Sequence, residues 1–213
     1  MSEQPVFDEA FRASLRSLFV WRRDIRRFRS EPLPDGTLER LIDLACLSPS
    51  VGLSQPWRFV SVDDPDRRRA VRDHFKVCNA DALKSYSGEL AVGYARLKLE
   101  GLTTAPCQVA VFADRATAVG HGLGQMTMPE TAEYSAVAAV CTMWLAARAE
   151  GIGMGWVSIL DPARVAGILD VPDAWRLVGY FCLGYAQTQS EHPELELEGW
   201  ERRRPATACL LHR

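Results

Sequence analysis

The stretch Arg22-Arg23-Asp24-Ile25-Arg26-Arg27-Phe28 sets four arginines within six residues around a single aspartate. Guanidinium groups at that density repel one another unless an anion lies among them. Their planar forks suit a phosphate, which each can hold with two parallel hydrogen bonds. Asp24 adds one acceptor in the middle of the donors. The competing reading is a solvated helix end, where cations also meet the negative end of the helix dipole. A helix does lead into the stretch: Phe7, Phe11, Leu15, Leu18 and Phe19 recur at helical spacing, which predicts a helix from about Phe7 to Val20.

Working outward, a second helix is expected from about Pro34-Asp35, with Leu38, Leu41, Ile42 and Ala45 inward. Ser48-Pro49-Ser50 stops it, because the residue before proline avoids helical geometry. The loop Val51-Gly52-Leu53-Ser54-Gln55-Pro56 leads to a strand at Trp57–Val62. A charged helix opens at Asp63-Asp64-Pro65 and runs to about Phe75, and Asp81 to Leu99 also reads as helical. Further expectations are a strand at Gln108–Ala113, a glycine loop around Gly120, Gly122 and Gly124, and an apolar helix from about Pro129 to Glu150, closed by Gly151. A strand near Gly155–Ile159, a short helix capped by Asp161-Pro162 and ending near Leu169, and a strand at Trp175–Tyr185 complete the body. Interspersed helices and strands in one domain over residues 1–213 indicate an α+β or α/β fold. The polar end, 186–213, holds Trp200 beside Arg202-Arg203-Arg204, which reads either as a solvated basic tail or as an arm docked on the body or a partner.

Composition narrows the function. Of 213 residues 47% are hydrophobic, enough for a core, and 25 basic against 27 acidic residues leave a formal charge of −2. That balance provides no global basic field for nucleic acid or an anionic membrane. The start has no basic region followed by an apolar run, and the most apolar stretch, Ser135–Ala147, is too short to span a bilayer. The cysteines at 46, 78, 107, 141, 182 and 209 form no CxxC pair and read as free thiols, so a cytoplasmic location is expected. Four dispersed histidines give no metal-ligand spacing, and no metal is expected.

Gly151-Ile152-Gly153-Met154-Gly155 invites a dinucleotide-binding reading. The order is wrong for it: such a turn follows a strand and opens a helix, whereas here the glycines follow a helix and open a strand. Glycines that let the chain pass close beside a flat ligand are the better expectation. Taken with the arginine stretch, the serine-rich loop 48–57 and Gly155-Trp156-Val157-Ser158 suit a flat heteroaromatic ligand carrying a phosphate.

Those same residues carry a family likeness. Arg22–Phe28, Ser48-Pro49-Ser50 with Gln55-Pro56-Trp57, the alanine-rich helix and the glycine–tryptophan turn together resemble the nitroreductase superfamily of flavin proteins over about residues 10 to 205. Asp24 inside the arginine motif and Ser158 in Gly-Trp-Val-Ser resemble one branch of it, the 5,6-dimethylbenzimidazole synthases. The resemblance implies an α+β nitroreductase-like fold with a central mixed sheet flanked by helices. It implies an intertwined homodimer whose interface is built on the long apolar helix, with FMN where the subunits meet. It further implies oxygen-dependent fragmentation of reduced FMN to 5,6-dimethylbenzimidazole, the lower ligand of cobalamin, with erythrose 4-phosphate released. FMN would then be substrate and molecular oxygen co-substrate. The implied binding residues are Arg22, Arg23, Asp24, Ile25, Arg26, Ser50, Leu99 and Ser158, with Asp24 as proton carrier and Ser158 at the ring edge. Residues 81–104 are expected to be a lid, and a separate NAD(P)H-flavin reductase to be a partner. Two alternatives stay open: an NAD(P)H-dependent flavin nitroreductase or corrinoid reductase, and a flavin-binding protein without chemistry.

Overall fold

Residues 107–114 read Cys-Gln-Val-Ala-Val-Phe-Ala-Asp, apolar on both sides of the alternation, and form the inner strand β2 (Cys107–Asp114). The computed structural model describes residues 4–97 and 100–213. Around β2 lie β1 (Trp57–Ser61), β3 (Gly153–Val157) and β4 (Trp175–Gly184), in the order β1-β2-β4-β3. Every one of these pairings is antiparallel, with a register shift in β2 between Val111 and Phe112. The sheet expected to be mixed is therefore antiparallel among the described residues. Its single parallel contact is an isolated bridge between Asp24 and Met154. The arginine segment meets β3 over too short a run to become a strand.

Helices cover both faces, which is why the inner strands are apolar on both sides. On one face α6 (Thr131–Ala149) buries Ala136, Ala139, Val140, Met143 and Trp144 against the sheet, with Leu41 and Ala45 of α2 (Thr37–Ala45) beside it. On the other, Phe28 joins Val71 and Phe75 of α3 (Pro65–Leu83), Leu102 of α5 (Gly101–Thr104), and Val165 and Leu169 of α7 (Pro162–Leu169). The expected caps form. Asp64 and Asp161 each accept two backbone N–H groups at a helix start. After α6, Gly151 takes φ 76°, and the Ile152 N–H reaches back to the Ala147 carbonyl in a left-handed cap.

Two expectations about the helices change. The helix expected to end near Phe75 continues to Leu83, because ion pairs Asp73–Lys76 and Asp81–Lys84 extend it where no breaker intervenes. The region 81–99 is accordingly divided, and its own helix, α4, spans Gly88–Arg96. α6 buries one face within its own chain, while on its other side Tyr134 and Cys141 are exposed and Val137, Ala138 and Leu145 only part-buried, so its apolarity exceeds what this chain covers. A second open apolar surface is that of α1 (Glu9–Trp21), which has no buried residue and leaves Phe11 and Phe19, with Phe7 just before it, about half exposed.

The C-terminal arm docks on the body. Trp200 packs edge-on against Tyr86 at 5.5 Å and lies 6.3 Å from Tyr94, after a short helix α8 (Glu194–Leu197). All six cysteines are free, and among the described residues no helix is long and apolar enough to cross a membrane.

Candidate active site

The arginine segment crosses the outer edge of β3. Phe28 is its anchor, 1% exposed in the core. The Ile25 N–H donates to the Met154 carbonyl at 3.0 Å, and the Trp156 N–H donates to Asp24 Oδ1 at 2.8 Å. On the far side, Arg29 N–H donates to the Tyr185 carbonyl and Gln187 N–H to the Arg27 carbonyl. The segment thus covers an edge strand that would otherwise present open backbone groups. Gly155 is glycine for this reason: a Cβ there would collide with the Ile25 carbonyl oxygen, and one on Gly153 would lie 2.9 Å from the Ile25 side chain. The close approach expected of a flat ligand is made by the chain's own backbone.

The arginines then divide. Arg23 is buried, and its Nη2 donates to the Phe19 and Val20 carbonyls, closing the C-terminal end of α1. Burial, with Arg203 and Arg22 nearby, lowers its pKa. For this residue the helix-end reading holds. Arg27 pairs with Glu194 at 2.7 Å. Arg22 stacks on the Trp144 ring, its guanidinium carbon 4.8 Å from the centroid. Arg26 is nine-tenths covered, 3.9 Å from Asp24 Oδ2 through Nε, and among the described residues its buried Nη1 has no hydrogen-bond partner. A buried donor left free in this way fits an anion that the chain does not supply.

Burial pushes the Asp24 carboxyl above its ordinary value, and Glu194 adds to the rise. The Trp156 N–H, Arg26 and Arg22 pull the other way. The side chain remains 40% exposed, so solvent moderates the shift. A cavity of about 280 Å³ opens here, with Asp24, Arg26, Gln189, Ser190 and His192 in its wall. An adjoining cavity of about 110 Å³ brings in Arg22 and, from the arm, Arg203. A larger apolar cavity of about 670 Å³ runs along Phe11, Leu15 and Leu18 and belongs to the open face of α1.

Ser158 follows β3 directly, two residues beyond Trp156, and is exposed rather than a core hydroxyl. Ser50 lies elsewhere. Its Oγ accepts from the Gln55 N–H, and the neighbouring Val51 N–H donates to Ser135 Oγ near the start of α6. The Arg23 carbonyl meets α6 at Trp144, nine residues or about 13 Å further along the helix. One chain does not bring Ser50 to the arginine motif. Leu99 lies outside the described residues. Among the described residues, no group of three His, Cys, Asp or Glu side chains is placed to hold a metal.

The Nitroreductase family model matches residues 19–185. The chain belongs to the nitroreductase family. Within it, the chain is similar to the 5,6-dimethylbenzimidazole synthase of Rhodospirillum rubrum, 55% identical over 205 residues, covering 96% of this chain and 97% of that protein. It is also similar to a protein of the same name from Rhodobacter capsulatus, 42% identical, with 93% and 96% covered. Among solved structures, oxidised iodotyrosine deiodinase bound to FMN and 3-iodo-L-tyrosine superposes with a TM-score of 0.69 at 24% identity, covering 83% of this chain and 91% of that one. That likeness is one of fold.

Sequence reasoning missed Trp144 and the 188–192 wall of the cavity. A lone tryptophan in an alanine-rich helix was the available signal for the first. The second depends on how the arm folds back.

Proposed function

We propose that this nitroreductase-family protein is a 5,6-dimethylbenzimidazole synthase, taking reduced FMN and molecular oxygen to 5,6-dimethylbenzimidazole and erythrose 4-phosphate, with the pyrimidine part of the flavin ring leaving as an oxidised third fragment. The observation that carries the reading is a carboxyl of raised pKa clamped beside a buried guanidinium with a free donor. The 55% identity to a protein of that name supports it.

Reduced FMN supplies the electrons for oxygen and, through its ribityl chain, the carbon that closes the new ring. The chain's own residues bind, orient and move protons. Arg22 and Arg26 hold the phosphate end by charge-assisted hydrogen bonds, which fixes the rest of the ligand against the site. Asp24 Oδ2, the oxygen not engaged by Trp156, takes up and returns protons during fragmentation, and a carboxyl shifted upward is better matched to that task near neutral pH. The Ser158 hydroxyl meets the ring edge. Of the expected lid, residues 81–104, Leu102 is buried in the core, and the part around α4, tied by Tyr86 and Tyr94 to Trp200 of the arm, is the part that keeps bulk water out.

The site is completed by a second copy of the chain. The open apolar face of α1 calls for cover, and the partner subunit's Ser50 then reaches the ligand that one chain's Ser50 does not. A separate NAD(P)H-flavin reductase supplies the reduced FMN. Six free thiols fit a reducing cytoplasm.

Chemical reduction of FMN in air with the purified protein, followed by mass spectrometry, tests the reading. A benzimidazole product is expected. Steady NADPH oxidation with FMN retained and no benzimidazole would replace it with a reductase.

A further inference from the structure

Asp24 is fixed by more than its own motif. Two peptide planes flank its Cα. The plane behind carries the Arg23 carbonyl, which accepts from Trp144 Nε1 at 3.2 Å. The plane ahead carries the Ile25 N–H, donated to the Met154 carbonyl at 3.0 Å. A peptide unit is rigid, so holding one atom of each plane restrains both backbone torsions of Asp24. Its Oδ1 is then tied to the Trp156 N–H, which leaves Oδ2 without a hydrogen bond, facing Arg26 Nε at 3.9 Å.

Two of these three anchors are edge pairing to β3. Trp144 is different in kind. It projects from α6, is 7% exposed, and uses its indole twice: the N–H for the Arg23 carbonyl, the ring face for the Arg22 guanidinium at 4.8 Å. Its ring also lies 6.4 Å from that of Trp156, whose backbone holds the carboxylate. A buried indole N–H needs some acceptor. Here the acceptor is the carbonyl immediately before the proposed proton carrier.

We propose that Trp144 is a positioning residue for this site, setting the Asp24 carboxyl and the Arg22 guanidinium relative to each other through one side chain. The inference rests on the functional reading above for its consequence in turnover, and on the geometry alone for its effect on Asp24. A phenylalanine keeps an aromatic ring in the core but leaves part of the indole's space empty, whereas a full-size ring without the N–H preserves packing, so what distinguishes the role from packing is the donor.

Three variants separate the parts. Trp144→Phe keeps a ring face and loses the donor. Replacing Trp144 by β-(3-benzothienyl)alanine removes the donor at full ring size, which covers the case in which Trp144→Phe folds poorly. Trp144→Leu removes both functions. Turnover to benzimidazole, KM for reduced FMN and the pH profile of product formation are measured, together with titration of the Asp24 carboxyl by carbon NMR in the ligand-free protein. Loss of the donor should lower kcat about fivefold to tenfold, the fold-change of one hydrogen bond, with KM held and the acid limb of the profile moved. Trp144→Leu should raise KM as well. The Asp24 titration should move in all three variants, since none carries the donor. A lowered Tm with kcat, KM, pH profile and Asp24 titration all as in the parent protein would make Trp144 a core residue and overturn the inference. The NMR titration requires no turnover, so it decides the matter even if the parent protein makes no benzimidazole, an outcome that would sink the functional reading alone.

Discussion

The serine loop 48–57 commits most of its polar atoms inside the chain, whereas the arginine motif 22–28 holds some in reserve. Ser48 Oγ bonds Thr142 Oγ1 at 2.6 Å, Ser50 Oγ accepts from Gln55 N–H, and Val51 N–H is taken by Ser135. Ser54 Oγ is buried and has no partner among the described residues. In the arginine motif Arg27 is paired and Arg23 partly occupied, while among the described residues Arg23 Nε and Arg26 Nη1 are buried donors without a partner and Asp24 Oδ2 carries no hydrogen bond, facing Arg26 at 3.9 Å. Both motifs look like ligand-binding sequence. The difference is that the arginine motif keeps buried donors open within one chain, while the serine loop lies away from it and, on the proposed reading, meets the ligand only across a subunit contact.

Substitutions in the two regions should therefore fail differently. The largest effect is expected at Asp24. Asp24→Asn keeps the acceptor for the Trp156 N–H but carries no proton, so benzimidazole formation should fall at least about 10²-fold while FMN still binds. Folding raises the Asp24 pKa, so the native chain holds that proton more readily than the unfolded chain. Ionised Asp24 thus costs stability above its unfolded pKa, and the cost is complete once pH passes the folded value. Asp24→Asn should be slightly more stable than the parent at neutral pH, by less than about 1 kcal/mol given the solvent around the carboxyl. The advantage should fade below about pH 4, the ordinary carboxylate range. Near-normal product from this variant would remove Asp24 from the chemistry.

Next comes the face that should bring the two regions together. The double change Phe11→Asp and Leu15→Asp puts charge on the open stripe of α1 and should give a monomer by light scattering. Product should drop more than about tenfold, since a site divided between subunits loses the entropic advantage of a preassembled one. A dimer of normal mass would show that α1 is covered by something else. Ser158→Ala should leave Tm within the range of surface changes, about 0.5 kcal/mol, because the hydroxyl is exposed. Reduced flavin should then return to FMN with several-fold less benzimidazole, read by stopped-flow mixing with oxygen. A normal yield would return Ser158 to a surface role. The smallest effect is expected at Ser48→Ala: a loss of about 1 kcal/mol, or about 2–4 °C in Tm, with turnover unchanged. A loss of turnover without a loss of stability would erase the contrast between the two motifs.

Much of the architecture was legible because it is local. Helical spacing, Asp64 and Asp161 as caps, Gly151 as a terminator and the apolar runs of β2 and β4 each act within a few residues. The error came where a boundary depended on side-chain pairs, as at the end of α3. The site was legible as a set of residue types and illegible as an arrangement. Nothing local says that Arg23 turns back to α1 while Arg26 stays free. Nor does anything local say that Gly155 makes room for Ile25, from a segment 130 positions earlier.

That distance in sequence bears on how the protein assembles. The motif is sewn to its surroundings by bonds spanning 121, 132 and 159 residues, through Trp144, Trp156 and Gln187. Such closures cost chain entropy before any contact rewards them, so they belong to the last stage of folding. The sheet and its helices must exist before Asp24 acquires its clamp. During refolding, recovery of flavin binding should trail recovery of secondary structure. A partly folded chain would then have helices and strands without yet holding a reactive flavin beside oxygen.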